Sequence, residues 1–229
     1  MLALIDTLRQ LQGDGLGRLG LGPTECRYQI VAASARWRLR VYAGATAGPS
    51  LLIVAAPIKR PYIWDLADRV SVVRHCLRHR LRVYLLEWMW PSPGDKDAGL
   101  ADYVGRSIGE AVATVTQEAG GTRPFIMGHS LGGTLAAIFT ALDPPSVRGL
   151  VLLSTPLSFA SGSCRFRDPI VAMVPPTLSA MEIVPGSLLS QLSVMASSDL
   201  FVVEARGCRP KHGRPAGIGP PCSGRLGVG

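Results

Sequence analysis

The sequence predicts an α/β fold, a mostly parallel sheet with helices on both faces, and three observations carry that prediction. An apolar run without a formal charge lies at Leu51–Pro57, the pattern of a strand buried on both faces. Strand-like runs alternate with longer stretches of helical period. Between one strand and the helix after it stands Gly128-His129-Ser130-Leu131-Gly132.

The elements follow in chain order. Leu2–Leu11 is a short amphipathic piece, and a Gly-rich run leads from it to Gly22-Pro23, so residues 1–24 read as a flexible leader. Tyr28–Ala33 and Arg36–Tyr42 form two strands of a hairpin, Gly44–Pro49 a turn, and Leu51–Pro57 a buried strand. A helix is expected from Trp64 or Asp65 to Arg80, because Leu66, Val70, Val73 and Leu77 keep a helical period. Asp65 near its start and arginines near its end suit the helix dipole. Leu81–Trp88 is a strand, Trp90–Gly99 a loop, and Leu100–Ala119 a helix stopped by Gly120-Gly121. The strand before Ser130 and the helix to Leu142 come next, then Asp143-Pro144-Pro145 and the strand Arg148–Ser154. Residues 25–160 form the core on this reading and 161–200 the start of a cap, with short helical pieces at Pro169–Val174, Leu178–Val184 and Pro185–Met195. The Gly/Pro/Arg-rich tail, 201–229, is expected to be disordered, since it cannot bury enough to offset its ordering entropy.

The Gly-x-Ser-x-Gly pattern has the spacing of a nucleophile elbow, a tight strand-to-helix turn. Such a turn places the serine at strained backbone angles, so the residues two before and two after it need almost no side chain. The helix behind then aims its N–H groups and the positive end of its dipole at an oxyanion, with the Leu131 N–H as one donor. Pro124–Leu142 carries no formal charge, yet its three glycines, histidine and serine argue against a membrane span.

Composition excludes several alternatives. Asp6 and Arg9 interrupt the N-terminal segment, so no signal peptide is read, and a cytoplasmic, soluble protein is expected. Cysteines 26, 76, 164, 208 and 222 form no CxxC pair and no metal-like set, and they read as reduced thiols. No metal, redox cofactor or other cofactor is indicated. Half of the net charge of +8 sits in the last 29 residues. Arg36, Arg38 and Arg40 alternate with apolar residues, which reads as one solvated face of a strand, and Arg74, Arg78 and Arg82 as the outside of a helix and its exit. A nucleic-acid-binding module would rest on charge only, without an aromatic–basic surface or a helix-turn-helix pattern.

Several segments together resemble the polyhydroxyalkanoate synthase-like α/β-hydrolases. They are Pro57-Ile-Lys-Arg-Pro-Tyr-Ile-Trp-Asp65, Tyr84–Trp88 with Gly99–Val104, Gly128–Thr134 and Val147–Pro156. The resemblance spans roughly residues 25–200. It implies an α/β-hydrolase fold and an acyl-transfer enzyme with Ser130 as nucleophile, Leu131 N–H as one oxyanion donor and Ile58 or Lys59 as the second. It also implies a small-molecule partner, an acyl ester or a 3-hydroxyacyl thioester of coenzyme A. Polymerising members carry cysteine where this chain has serine, so a plain serine esterase is the alternative.

The superfamily's triad runs Ser, then Asp or Glu, then His, on loops after later strands. Here one strand follows the elbow, so the sheet is expected to be incomplete at its C-terminal side. His212 is the one histidine beyond Ser130, and Asp143, Asp168 and Asp199 are the available aspartates. None follows a recognisable late strand. His129 reads as a packing residue whose side chain points away from the serine hydroxyl. The expectation is a chain truncated, or shifted in frame, near Val203. Two consequences are an inactive fragment as a third functional reading and an exposed apolar edge at Leu150–Ser154 open to oligomerisation or aggregation.

Overall fold

The computed structural model of the chain describes residues 2–20, 22–44, 48–163 and 167–173, together with Leu188 and Gln191. The tail 201–229, the piece at 178–184, the piece at 185–195 apart from Leu188 and Gln191, Cys164, Cys208, Cys222, Asp199 and His212 lie outside the described residues.

Six strands form one sheet: β1 (Tyr28–Ala33), β2 (Trp37–Tyr42), β3 (Ser50–Val54), β6 (Arg82–Trp88), β7 (Phe125–His129) and β8 (Gly149–Leu153). Their order is β1-β2-β6-β3-β7-β8. The hairpin β1–β2 is antiparallel and joins antiparallel to β6, while β6, β3, β7 and β8 run parallel. Every residue of β3 is buried, as its unbroken apolar run requires. Its side chains divide strictly by parity. Leu52 and Val54 enter a core shared with the helical stretch 101–118 and the helix α4 (Leu131–Leu142). Leu51 and Ile53 enter a second core with the helix α2 (Val72–Arg78) and Trp64. Helices therefore cover both faces.

Three local expectations are corrected. The helix foreseen from Trp64 or Asp65 to Arg80 is shortened to α2. Before it come a 3-10 turn, Pro61–Trp64, and a two-strand ribbon, β4 (Asp65–Ala67) with β5 (Val70–Ser71). Leu66 and Val70 are exposed, so the helical spacing there is coincidental. Asp65 is fully buried and is no helix-dipole residue. It accepts hydrogen bonds from the Ser71 hydroxyl (2.6 Å), Arg74 Nε (3.1 Å) and the Cys26 N–H. Ser71 caps α2 instead, accepting from the Arg74 N–H at 2.8 Å.

The arginine alternation on β2 is no solvated face. Arg40 is 4% exposed and is held between Glu87 (2.8 Å) and Glu25 (2.8 Å), with its guanidinium over the Tyr28 ring. Arg38 takes the other oxygen of Glu87, and Arg36 reaches Asp95. The leader, finally, is helical well past Leu11: α1 spans Leu2–Arg18 and includes Gly13, Gly15 and Gly17. Its described side chains, Leu8, Leu11 and Leu16 among them, are exposed.

The remaining helices agree in place with their sequence pattern. The first eight residues of the long one, Ala101–Ile108, are wound as a π-helix before α3 (Gly109–Glu118). Gly120 and Gly121 then end it with φ of 63° and 87°. A short helix, α5 (Arg167–Met173), lies beyond β8.

Candidate active site

The parallel strands β3, β7 and β8 end together, and Ser130 stands at the end of β7. Its backbone has φ 53° and ψ −130°, a conformation that L-residues adopt only under constraint. Two hydrogen bonds impose it. The Ser130 N–H donates to Leu153 O on β8 (3.0 Å), and the Ser130 carbonyl accepts from the Thr134 N–H in the first turn of α4 (3.1 Å).

The glycines of the elbow are required by contact. A Cβ at Gly128 would overlap the backbone of Gly132 and Gly133, and one at Gly132 would overlap Val54 O and the Ala55 carbonyl. Spacing had indicated both. It had not indicated Gly133, whose Cβ would collide with the side chain of Thr155 just after β8. The Gly132-Gly133 doublet was the available signal, since one glycine satisfies the elbow and the second needs another cause. Thr134 ties the same join, its hydroxyl donating to Pro156 O at 2.8 Å. Ser154, between β8 and Thr155, has φ 45°.

Because α4 begins against the end of β3, the loop leaving β3 runs beside the elbow. The Lys59 N–H donates to Ala56 O at 2.9 Å and closes a turn there. Among the described residues the Ile58 N–H makes no hydrogen bond, and the Ile58 side chain is exposed. Beyond it, Trp64 meets His129 edge-on, ring centroids 6.1 Å apart and planes at 90°, and Arg60 lies over the Trp90 ring at 4.3 Å. Trp88, the last residue of β6, donates its indole N–H to Ala55 O at 2.7 Å. Loop, elbow and strand ends thus form one corner at the carboxyl ends of the parallel strands, where open α/β sheets place their ligands.

Other candidates for the chemistry are placed elsewhere. Burial, and then the neighbouring Asp65, push the Cys26 thiol up to about 11, and burial raises Cys76 as well. Neither offers a thiolate near neutral pH. Asp143 is the C-cap of α4 and accepts from the Ser146 hydroxyl. Twelve residues of helix put it ~18 Å from Ser130. Asp168 accepts from the Gly162 N–H and pairs with Arg167. Among the described residues, no side chain hydrogen-bonds the Ser130 hydroxyl, no group of three or more His, Cys, Asp or Glu is set to hold a metal ion, and no helix is long and apolar enough to cross a membrane.

A model of the alpha/beta hydrolase fold family matches residues 63–180. The chain belongs to the α/β-hydrolase fold family. Within this α/β-hydrolase, the matched range begins at the 3-10 turn after β3 and takes in the elbow and β8. The chain is 40% identical over 109 residues to the poly(3-hydroxyalkanoate) polymerase subunit PhaC of Haloarcula marismortui, covering 48% of this chain and 23% of that one. It is 31% identical over 148 residues to the poly(3-hydroxyalkanoate) polymerase subunit PhaC of Synechocystis sp., covering 61% and 39%. The chain therefore spans less than half the length of these curated relatives. Among solved structures, a CIB-like hydrolase from Thermoplasma acidophilum superposes with a TM-score of 0.42 at 17% identity, covering 56% of this chain and 62% of that chain.

Proposed function

We propose that this α/β-hydrolase carries the nucleophile and oxyanion hole of an acyl-transfer site resembling that of the polyhydroxyalkanoate synthases. In this reading the Ser130 oxygen attacks the acyl carbon of a thioester or ester, with a 3-hydroxyacyl thioester of coenzyme A as the leading donor. The tetrahedral oxyanion is held by the N–H groups of Leu131 and Ile58. Collapse breaks the bond to the leaving thiol or alcohol, which takes up a proton, and leaves the acyl group on Ser130. A hydroxyl acceptor or water then releases it. Lys59, the other residue considered for the second donor, is disfavoured because its N–H already closes a turn onto Ala56.

The observation that carries this reading is the backbone of Ser130, φ 53° and ψ −130°, bracketed by glycines whose replacement the neighbouring backbone forbids. Such strain persists where it serves to present a side chain. The curated relatives support the choice of acyl transfer, since both are named polymerases of 3-hydroxyalkanoates. Serine in place of the cysteine expected of polymerising members favours water or a single hydroxyl as acceptor, and a plain serine esterase is the second reading. That no side chain among the described residues hydrogen-bonds the Ser130 hydroxyl favours a third, a chain that forms the oxyanion hole without its base.

A fluorophosphonate probe tests the proposal. Labelling at Ser130, abolished in Ser130→Ala, is the expected result, and a wild-type rate equal to that of Ser130→Ala overturns it. Product analysis with a 3-hydroxyacyl thioester then separates free acid from oligomer.

A further inference from the structure

The backbone ladder of β3 ends at Val54, which pairs with Leu86 on one side and Gly128 on the other. The next residue, Ala55, is buried and lies just past the last pair of that ladder, while β6 runs on to Trp88 and β7 to His129. Its carbonyl is met by a side chain, the Trp88 indole N–H at 2.7 Å. The same carbonyl group lies against Gly132, so closely that a Cβ there would overlap it. Ala55 is therefore the joint between the nucleophile helix on one side and the loop 56–59 on the other. The ring of Trp88 is itself braced by Tyr103, centroids 5.3 Å apart, from the π-helical stretch 101–108. Wide helical turns of this kind recur at functional sites.

We propose that Trp88 is a positioning residue of the acyl-transfer site: through the Ala55 carbonyl it sets the plane of the Ala55–Ala56 peptide and so the direction in which the Ile58 N–H points. The physical argument is short. A peptide plane turns as a unit, and a buried carbonyl with a strong donor has one favoured direction. The turn closed by Lys59 N–H on Ala56 O begins at the next peptide, Ala56–Pro57, which is joined to that plane at the Ala56 Cα, and Ile58 lies inside the turn. An oxyanion donor acts through its placement at the tetrahedral intermediate, so Trp88 should affect the reaction step more than the initial complex. The inference rests on the proposal that Ser130 is the nucleophile.

The experiment compares wild type, Trp88→Phe and Val115→Ala in the full chain. Trp88→Phe keeps a ring against Tyr103 and removes the donor, while Val115→Ala makes a defect in the buried core of α3 away from the site. Two quantities are measured: fluorophosphonate labelling resolved into maximal rate and half-saturating concentration, and exchange of the Lys59 amide by NMR. Trp88→Phe is expected to lower the maximal rate about tenfold at unchanged half-saturation, less than the full loss of a donor. Its Lys59 amide is expected to exchange faster, and Val115→Ala is expected to do neither. The proposal falls if Trp88→Phe labels like wild type, if only half-saturation changes, or if Val115→Ala reproduces the effect. If wild type is not labelled at all, the reading of Ser130 fails and the Lys59 exchange decides alone: faster only in Trp88→Phe upholds the positioning of the loop, and unchanged overturns it.

Discussion

Ser130 holds a backbone conformation that glycine adopts freely and other residues do not. Ser130→Gly is accordingly expected to abolish labelling and yet to raise stability by about 1 kcal/mol, the order of one relieved strained residue. Ser130→Ala, which keeps a Cβ, is expected to abolish labelling with no such gain. Urea unfolding of the three proteins checks both. Gly132→Ala is expected to go the other way. Its Cβ would meet the Val54 and Ala55 backbone, which cannot rotate aside as a side chain can, so a loss of about 3 kcal/mol or failure to fold follows. The serine and its flanking glycines were legible in the sequence because their spacing is dictated by local geometry. Trp88 was not, because its partner Ala55 is 33 residues away and no spacing rule connects an indole to a carbonyl across a sheet.

Elements were legible where one face of one period met one environment. Val54, Leu52, Ile53 and Leu51 needed no partner information, since both faces of β3 are buried. The stretch 64–80 was misread because Leu66, Val70, Val73 and Leu77 satisfy a helical period although only the last two lie on a helix. The stronger signal was Asp65 followed six residues later by Ser71, a carboxylate and a capping hydroxyl that bond each other at 2.6 Å. Ser71 thus both caps α2 and satisfies a fully buried carboxylate. Ser71→Ala is expected to cost about 1 kcal/mol for the cap and more for the lost donor to Asp65. Ser71→Thr, which keeps the hydroxyl, should recover most of it. Thermal unfolding of the pair separates the hydroxyl from the volume.

At the scale of the molecule, the charges of the antiparallel side are neutralised within it. Burial raises the Glu87 carboxyl, but the hydrogen bonds and charges of Arg40 and Arg38 outweigh burial and hold it below its ordinary 4.5. A carboxyl lowered by folding contributes stability in full above its unfolded value and loses it as pH falls through the folded one. Glu25, on the far side of Arg40, is raised by burial despite that pairing, so its charge opposes folding at neutral pH. Glu87→Gln is therefore expected to cost roughly 3 kcal/mol at neutral pH, leaving Arg40 buried beside one raised carboxyl, and progressively less as pH falls below the ordinary 4.5 and through the lowered folded value. Chemical denaturation across that range reads the convergence. The sheet's other flank differs. Among the described residues β8 pairs only with β7, and Val151 and Leu153 are partly exposed. Lysine at both positions is expected to lower self-association at micromolar concentration in size-exclusion chromatography. The contact between Gly133 and Thr155 has a separate consequence for heredity. Unlike the backbone that blocks Gly128 and Gly132, the obstacle at 133 is a side chain, so Ala at 133 becomes tolerable if 155 shrinks to Gly. The two positions should be inherited as a pair, and chimaeras of related proteins joined between 133 and 155 should fail whenever the parents solved that contact differently.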